Sequence, residues 1–300
     1  MKFNLSRPIL SEPVSSDPPM LAVAISPDGE FALSSGLDFT LRRWKVQLGK
    51  CTHTWQAGGP LNAITVMPDG EKALISSVMG ALLWDLSRWQ FIRSYLTNYG
   101  GTYDIAYSEC MGMVIGAGED SLIYRWDFES GEKYKPLVDH QYPVSTLAVS
   151  DRTNLILSGD SSGEIRLWEL SSGDPLAAWQ GHDNLITDLA VLPQYRKLVS
   201  ASHEPQIKIW DLDSGEKLNE LSDHTGRVTA LAASKDENWM LSAGEDGIRI
   251  WDLENYRCLY SDPSDQISCL ALRADDKVAI SGSRDGGLSI WSLQFSDQEL

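Results

Sequence analysis

Short stretches of alternating apolar and polar residues recur along the whole chain and are separated by polar turns, as in VTALAAS (228–234), FALSSG (31–36) and IRIWDL (248–253). Alternation with a period near two is typical of β-strands, and a helical spacing of apolar residues is absent. The turns SPDG (26–29) and MPDG (67–70) place Pro, Asp and Gly where a type I turn accepts them. The pattern therefore predicts an all-β protein built from short strands.

One unit of about 40 residues is repeated along the chain, a period typical of repeat architectures. Each unit has two apolar segments, a segment that ends near a Trp, and a more variable fourth segment, which together predict four strands. The repeated Trp residues, spaced by 40 to 42 positions, are Trp44, Trp84, Trp126, Trp168, Trp210, Trp251 and Trp291. Seven such units fill the chain.

These units resemble the WD40-repeat family over essentially the full length of the chain. The family's Trp-Asp pair stands at 84–85, 126–127, 210–211 and 251–252, and its Gly-His pair stands at 181–182. The resemblance implies a seven-bladed β-propeller of four-stranded blades, forming a single domain over residues 1–300. In this family the N-terminus commonly completes the last blade. Residues 1–19 are thus expected to supply a closing strand, at 2–6 or 8–12, followed by a loop.

The charge balance narrows the choice of partners. The chain has 25 Lys and Arg against 42 Asp and Glu, a net charge of −17. Such a surface repels phosphate backbones, so nucleic acid is not expected as a partner, whereas basic proteins are favoured by electrostatic steering. No signal-peptide core or membrane-spanning apolar run is present, so we expect a cytoplasmic protein without membrane insertion. The four Cys and five His residues show no metal-ligand spacing, so neither a metal nor another cofactor is expected.

One unit contains residues that suggest two different roles. His224, Ser242, Asp246 and Trp251 match the positions of a buried hydrogen-bonded chain that WD40 repeats form. His, Ser and Asp together also suggest a nucleophilic triad. Because serines recur in the corresponding segments of other units, and an enzyme needs one nucleophile, we interpret the four residues as structural. No catalytic residue and no enzymatic activity are expected.

The family resemblance implies that partners bind the rim where the turns between second and third strands emerge. On that rim, the residues just before the turn Asp and those ahead of each first strand form two predicted rings. The predicted partner-binding residues there are Tyr99, Glu119, Tyr142, His203, Arg227, Glu245 and Arg284. Aromatic residues and Arg are enriched at binding hot spots. The alternative is an ordinary solvated rim.

Two aromatic residues interrupt a pattern of turn glycines. Trp89 and Tyr256 stand where four other units have Gly49, Gly131, Gly173 and Gly215. Each is a candidate partner contact on the face opposite the rim, or else folds back over its own blade.

The favoured function is a non-catalytic scaffold or adaptor that presents a rigid rim to protein or peptide partners within a complex. The alternative is a propeller that binds a small ligand, or acts as an enzyme, in its central channel. The segments expected to line that channel are mostly apolar and small, with Asp104 and Asp188 as the main exceptions.

Overall fold

The computed structural model describes residues 2–6, 18–263, 266–273 and 275–296. In these ranges the strands form seven four-stranded antiparallel sheets, and the first strands of successive sheets pack side by side around a ring. The predicted all-β, seven-bladed propeller is confirmed. No helix in the described ranges is long and apolar enough to cross a membrane; the helical structure there is a short 3-10 turn, Val46–Leu48.

The strands follow the predicted order of four per repeat. The first strand, β1 (Lys2–Ser6), belongs to the last blade. Blade 1 consists of β2 (Met20–Ile25), β3 (Phe31–Gly36), β4 (Thr40–Lys45) and β5 (Lys50–Gln56). Blade 2 consists of β6 (Ile64–Val66), β7 (Lys72–Ser77), β8 (Gly80–Asp85) and β9 (Gln90–Leu96). Blade 3 consists of β10 (Thr102–Ser108), β11 (Met113–Gly118), β12 (Leu122–Asp127) and the short β13 (Leu137–Val138).

The remaining blades repeat this order. Blade 4 consists of β14 (Val144–Ser150), β15 (Leu155–Asp160), β16 (Glu164–Glu169) and β17 (Pro175–Gln180). Blade 5 consists of β18 (Ile186–Leu192), β19 (Lys197–Ser202), β20 (Ile207–Asp211) and β21 (Lys217–Leu221). Blade 6 consists of β22 (Val228–Ala233), β23 (Trp239–Gly244), β24 (Gly247–Asp252) and β25 (Arg257–Asp262). Blade 7 combines β26 (Ile267–Leu272), β27 (Val278–Ser283) and β28 (Leu288–Ser296) with β1.

The N-terminal segment closes the ring. Strand β1 pairs antiparallel with β28, in a register that runs from Lys2 opposite Ser296 to Ser6 opposite Ser292. The outer strand of blade 7 is therefore 2–6. The alternative at 8–12 and the loop up to residue 17 lie outside the described residues.

The core lies between neighbouring blades. Second strands such as β11 and β15 are buried along their whole length, because each blade packs a face against the next. Ile115 of blade 3, for example, shares a buried apolar cluster with Leu147 and Trp168 of blade 4. This packing buries both faces of these second strands, including polar residues such as Ser158 of β15.

Candidate functional site

The two predicted rings lie side by side on one face of the disc, which we call the rim face. In six blades the N–H of the residue before the turn donates to the backbone carbonyl just ahead of the first strand. Examples are His203 to Leu185 at 3.1 Å, Glu245 to Arg227 at 3.0 Å and Arg284 to Gln266 at 3.0 Å. Backbone hydrogen bonds therefore hold the rim residues in place, so their side chains project from a rigid frame.

Four of the predicted residues form a charged cluster on blades 5 to 7: His203, Arg227, Glu245 and Arg284. The guanidinium of Arg284 lies 3.2 Å from Glu245 Oε1. Burial and the positive charges of Arg227 and Arg284 lower the pKa of His203, against the opposing effect of Glu245. Arg227 is exposed and forms no ion pair within the described part of the chain. Its free guanidinium can donate hydrogen bonds to a partner's carboxylates or carbonyls.

The other three predicted residues lie in an aromatic sector on blades 2 to 4: Tyr99, Tyr142 and Glu119, together with Tyr103. Tyr99 is 79% exposed and Tyr142 is 54% exposed, which is unusual for such large rings. Glu119 Oε2 accepts from the N–H of Gly101 at 3.3 Å. Burial and the nearby negative charge of Glu119 raise the pKa of Tyr103. The sequence prediction did not include Tyr103, which is the second residue of the inner strand β10.

The central channel opens onto the rim face. A cavity of about 400 Å³ at its mouth is lined by Tyr103 from the aromatic sector and by Pro143 and Leu185 from the predicted ring. Many of the polar side chains in the channel wall bridge blades. Thr187 and Thr229, for instance, each donate to a carbonyl of the next blade at 2.8 Å. Polar side chains in the channel wall thus form hydrogen bonds that join neighbouring blades.

The two channel carboxylates also bridge blades. Asp104 accepts from the N–H of Leu147 at 2.8 Å, and Asp188 accepts from the N–H of Leu231 at 2.7 Å. Burial raises the pKa of both carboxyl groups, and it raises that of Asp188 to about 7, with repulsion from Asp104 adding to the shift. Through these hydrogen bonds Asp104 joins blade 3 to blade 4, and Asp188 joins blade 5 to blade 6.

Trp89 and Tyr256 are half-buried on the face opposite the rim face. Both have a φ of 53°, the left-handed conformation that glycine adopts at the matching turns. Trp89 packs edge-on against Trp84 of its own blade at 5.8 Å between ring centroids. The hydroxyl of Tyr256 accepts from Lys197 Nζ of the preceding blade at 2.8 Å. Trp89 thus packs on its own blade, whereas Tyr256 reaches the preceding blade. That either residue contacts a partner stays a prediction.

The four residues of the hydrogen-bonded chain are joined in blade 6. Trp251 Nε1 donates to Ser242 Oγ at 2.7 Å, and the two His224 nitrogens lie 2.6 Å from Ser242 Oγ and from Asp246 Oδ1. In a neutral His224 the Nδ1–H can donate to Asp246 while Nε2 accepts from Ser242. The guanidinium Nη1 of Arg249 also lies 2.5 Å from this Nδ1.

The charges of this chain fit that assignment. Burial lowers the pKa of His224. Burial alone would raise the pKa of Asp246, but hydrogen bonds from Thr225, His224 and Arg249 hold it well below its usual range. Ser242 is fully buried, and its hydroxyl contacts both Trp251 and His224. The geometry supports a structural role.

Blades 4 and 5 contain the same chain, which the sequence prediction missed. His140 contacts Ser158 at 2.7 Å and Asp160 at 2.9 Å, and His182 contacts Ser200 at 2.8 Å. In blade 5 the acid is Glu204 instead of Asp, 2.9 Å from His182. The signal was available, because each His precedes its Ser by 18 residues, as in blade 6.

One group of side chains within the described ranges has a spacing that could hold a metal ion. The ligand atoms of His140, Asp160 and Glu164 all lie within 4.8 Å of one another. Both His140 nitrogens, however, already contact Asp160 and Ser158, and Glu164 binds both Nε and Nη2 of Arg166 at 3.0 Å. His140 and Asp160 thus contact each other, and the carboxylate of Glu164 is occupied by Arg166.

Comparison with known proteins places this geometry in a family. A family model described as nucleolar protein 10-like, N-terminal domain, matches residues 90–283, more than half of the chain. A model of the WD domain, G-beta repeat, matches residues 11–45. The chain belongs to the WD-repeat β-propellers of the nucleolar protein 10-like N-terminal domain family. For a WD-repeat propeller, a rim face with exposed aromatic and charged residues is a surface suited to protein interaction.

A curated relative matches a shorter part of this WD-repeat propeller. The ribosome biogenesis protein BOP1 homolog of Chlamydomonas reinhardtii is 38% identical over 60 residues. The match covers 19% of this chain and 8% of the relative, so the propeller spans a small part of that protein's length.

Proposed function

We propose that the protein is a non-catalytic scaffold that binds protein or peptide partners on its rim face. The observation that carries the proposal is the pairing, on one face, of the exposed Tyr99 and Tyr142 with the unpaired Arg227. The backbone hydrogen bonds beneath the rim fix the main chain at Arg227, at Gly101 near Tyr99 and at Pro143 next to Tyr142, which reduces the ordering cost of binding.

The two parts of the rim face would have different tasks. The rings of Tyr99 and Tyr142 offer large apolar contact area with polar hydroxyl ends, as binding anchors do. The charged cluster orients the partner, because Arg227 donates and Glu245 accepts. The net charge of −17 speeds the encounter with basic partners.

Affinity capture followed by mass spectrometry tests this proposal. The double variant Tyr142→Ala, Arg227→Ala is expected to lose the captured partners while its melting temperature stays unchanged. The matched control is Phe91→Ala, Arg88→Ala, which removes an exposed aromatic residue and an exposed Arg away from the rim face. Full capture by the first variant, or an equal loss in the control, would contradict a rim-face site.

The names of the relatives support a finer proposal about location. One is nucleolar and the other is a ribosome biogenesis protein. We therefore propose work in ribosome assembly in the nucleolus, in place of the cytoplasmic location expected from the sequence. A fluorescent fusion should co-localise with a nucleolar marker, and captured partners should include assembly factors. A purely cytoplasmic signal would refute this location and leave the rim-face proposal standing.

A further inference from the structure

An arginine occupies a core position of blade 3 that is aliphatic in most other blades. Arg125 lies on β12 directly before the repeated Trp, and it is only 7% exposed. In blades 2, 4, 5, 6 and 7 the matching residues are Leu83, Leu167, Ile209, Ile250 and Ile290, all buried. A guanidinium has replaced an aliphatic side chain at this place.

The guanidinium of Arg125 is only partly satisfied. Its Nη2 donates to the carbonyl of Lys135 at 3.2 Å, whereas its buried Nε has no hydrogen-bond partner among the described residues. No acidic oxygen of the described residues lies within ion-pair distance of it, and the negative charge of Asp174 acts on it from farther away. Burial lowers the pKa of Arg125, but an arginine stays protonated in proteins. A buried charge without a counter-ion is costly, and folded proteins normally pair it.

Blade 1 shows how the same replacement can be satisfied internally. Arg43 stands at the matching place, donates to the carbonyl of Leu86 at 2.8 Å, and lies over the ring of Phe31 at 4.4 Å. Arg125 lacks an equivalent aromatic contact, because Met113 stands where blade 1 has Phe31. The fourth strand of blade 3 is also reduced to the two residues of β13. The short strand leaves space beside the guanidinium.

That space is a cavity of about 200 Å³ between blades 3 and 4. Arg125 and Lys135 contribute positive charge to its lining, and Asp139 and Asp174 contribute negative charge. Sites for whole small molecules usually measure about 300–1,000 Å³, so this cavity has room for one side chain. Because two acids already line it, a singly charged anion fits better than a doubly charged phosphate.

We propose that this cavity binds the carboxylate of an acidic side chain presented by a partner, with the guanidinium of Arg125 as the principal donor. Arginine recognises a carboxylate through two parallel N–H bonds, and the guanidinium of Arg125 forms part of the cavity lining. This site lies between blades and apart from the rim face, so it stands independently of the proposed function.

Thermal melting of the full chain in acetate tests the proposal. Acetate is expected to raise the melting temperature saturably, compared with acetamide and with chloride at equal ionic strength, because only the carboxylate binds. Blocked glutamate, N-acetyl-glutamate amide, should bind at least as well as acetate. In Arg125→Leu, acetate binding should weaken about tenfold or more, because two charge-assisted hydrogen bonds are lost. Without acetate the variant should melt at or above the wild-type temperature, since Leu is the residue of blades 2 and 4.

The matched control is Arg43→Leu, which should keep the acetate response. If Arg125→Leu fails to fold, Arg125→Lys replaces it. Lysine keeps the positive charge but lacks the paired N–H donors of the guanidinium, so acetate binding should still weaken. Equal responses to acetate and acetamide, or an undiminished acetate response in the Arg125 variants, would overturn the proposal. Tighter binding of inorganic phosphate would overturn the assignment to a carboxylate. Binding of acetate without blocked glutamate would exclude a side-chain ligand.

Discussion

Blades 6 and 2 hold the same repeated Trp by different means. In blade 6 the indole N–H of Trp251 is the first donor of a polar chain that runs through Ser242 and His224 to Asp246. In blade 2 the place of Ser242 is taken by Ile75, and Trp84 Nε1 has no hydrogen-bond partner among the described residues.

Blade 2 compensates with aromatic packing. The ring of Trp84 lies 4.6 Å from that of Trp55 in blade 1, and Trp89 packs on it from the turn. Trp89 occupies a left-handed turn position that suits glycine, so its packing offsets a local conformational cost. The comparison shows that both blades keep a large buried ring at this place, and that the polar chain is one of several ways to hold it; in blade 3, for example, Trp126 Nε1 donates to the carbonyl of Leu96 at 3.3 Å.

The largest expected effect comes from removing the ring itself. Trp251→Ala and Trp84→Ala should each lower the free energy of unfolding by about 3–5 kcal/mol, because both leave a large cavity in the core. Denaturant unfolding followed by circular dichroism measures both changes. A loss well below this range in blade 2 alone would show that Trp55 and Trp89 can fill the space, and would break the equivalence of the two blades.

A smaller loss of stability should distinguish blade 6, which has the polar chain, from blade 2, which lacks it. Ser242→Ala leaves both Trp251 Nε1 and His224 Nε2 buried without a partner, so we expect a loss of about 1–3 kcal/mol. The control is Ser261→Ala, an exposed serine on the outer strand of the same blade, which should change stability little. If Ser242→Ala and Ser261→Ala lower the free energy of unfolding equally, the polar chain makes no specific contribution to stability.

The smallest effect concerns pH. Because burial lowers the pKa of His224 below its ordinary 6.5, the unfolded chain binds a proton at a higher pH than the folded one. The free energy of unfolding should therefore fall as the pH drops below 6.5, by at most about 1.4 kcal/mol per pH unit for each such His. His224→Gln should reduce this slope, and His182→Gln should do the same, since burial also lowers that pKa. Blade 2 has no His in the corresponding segment, Ala57–Pro60, and adds nothing to the slope. An unchanged slope in both variants would place the acid sensitivity elsewhere.

Much of the fold was predictable because the repeat is encoded locally. The segments FALSSG at 31–36 and KLVSAS at 197–202 coincide with β3 and β19, since alternation and turn residues act within a few positions. The chains in blades 4 and 5 were also within reach of the sequence, through the constant spacing of His and Ser. Glu204 concealed one of them by replacing the expected Asp.

The candidate sites were less predictable because they depend on neighbouring blades. The sequence indicated Arg227 and Arg284 singly, but their shared influence on His203 arises from three blades meeting on one face. The unsatisfied state of Arg125 depends on the shortening of β13 and on the position of Gly173 across the blade boundary. Neither can be obtained from a single repeat.

The closure of the ring has a consequence for synthesis. Among the described strands β1 is made first, whereas its partner β28 is made last. Blade 7 therefore stays unfinished, with an exposed edge open to wrong pairing, until translation has passed residue 296. A stalled chain that lacks β28 therefore keeps an open strand edge at the place of blade 7.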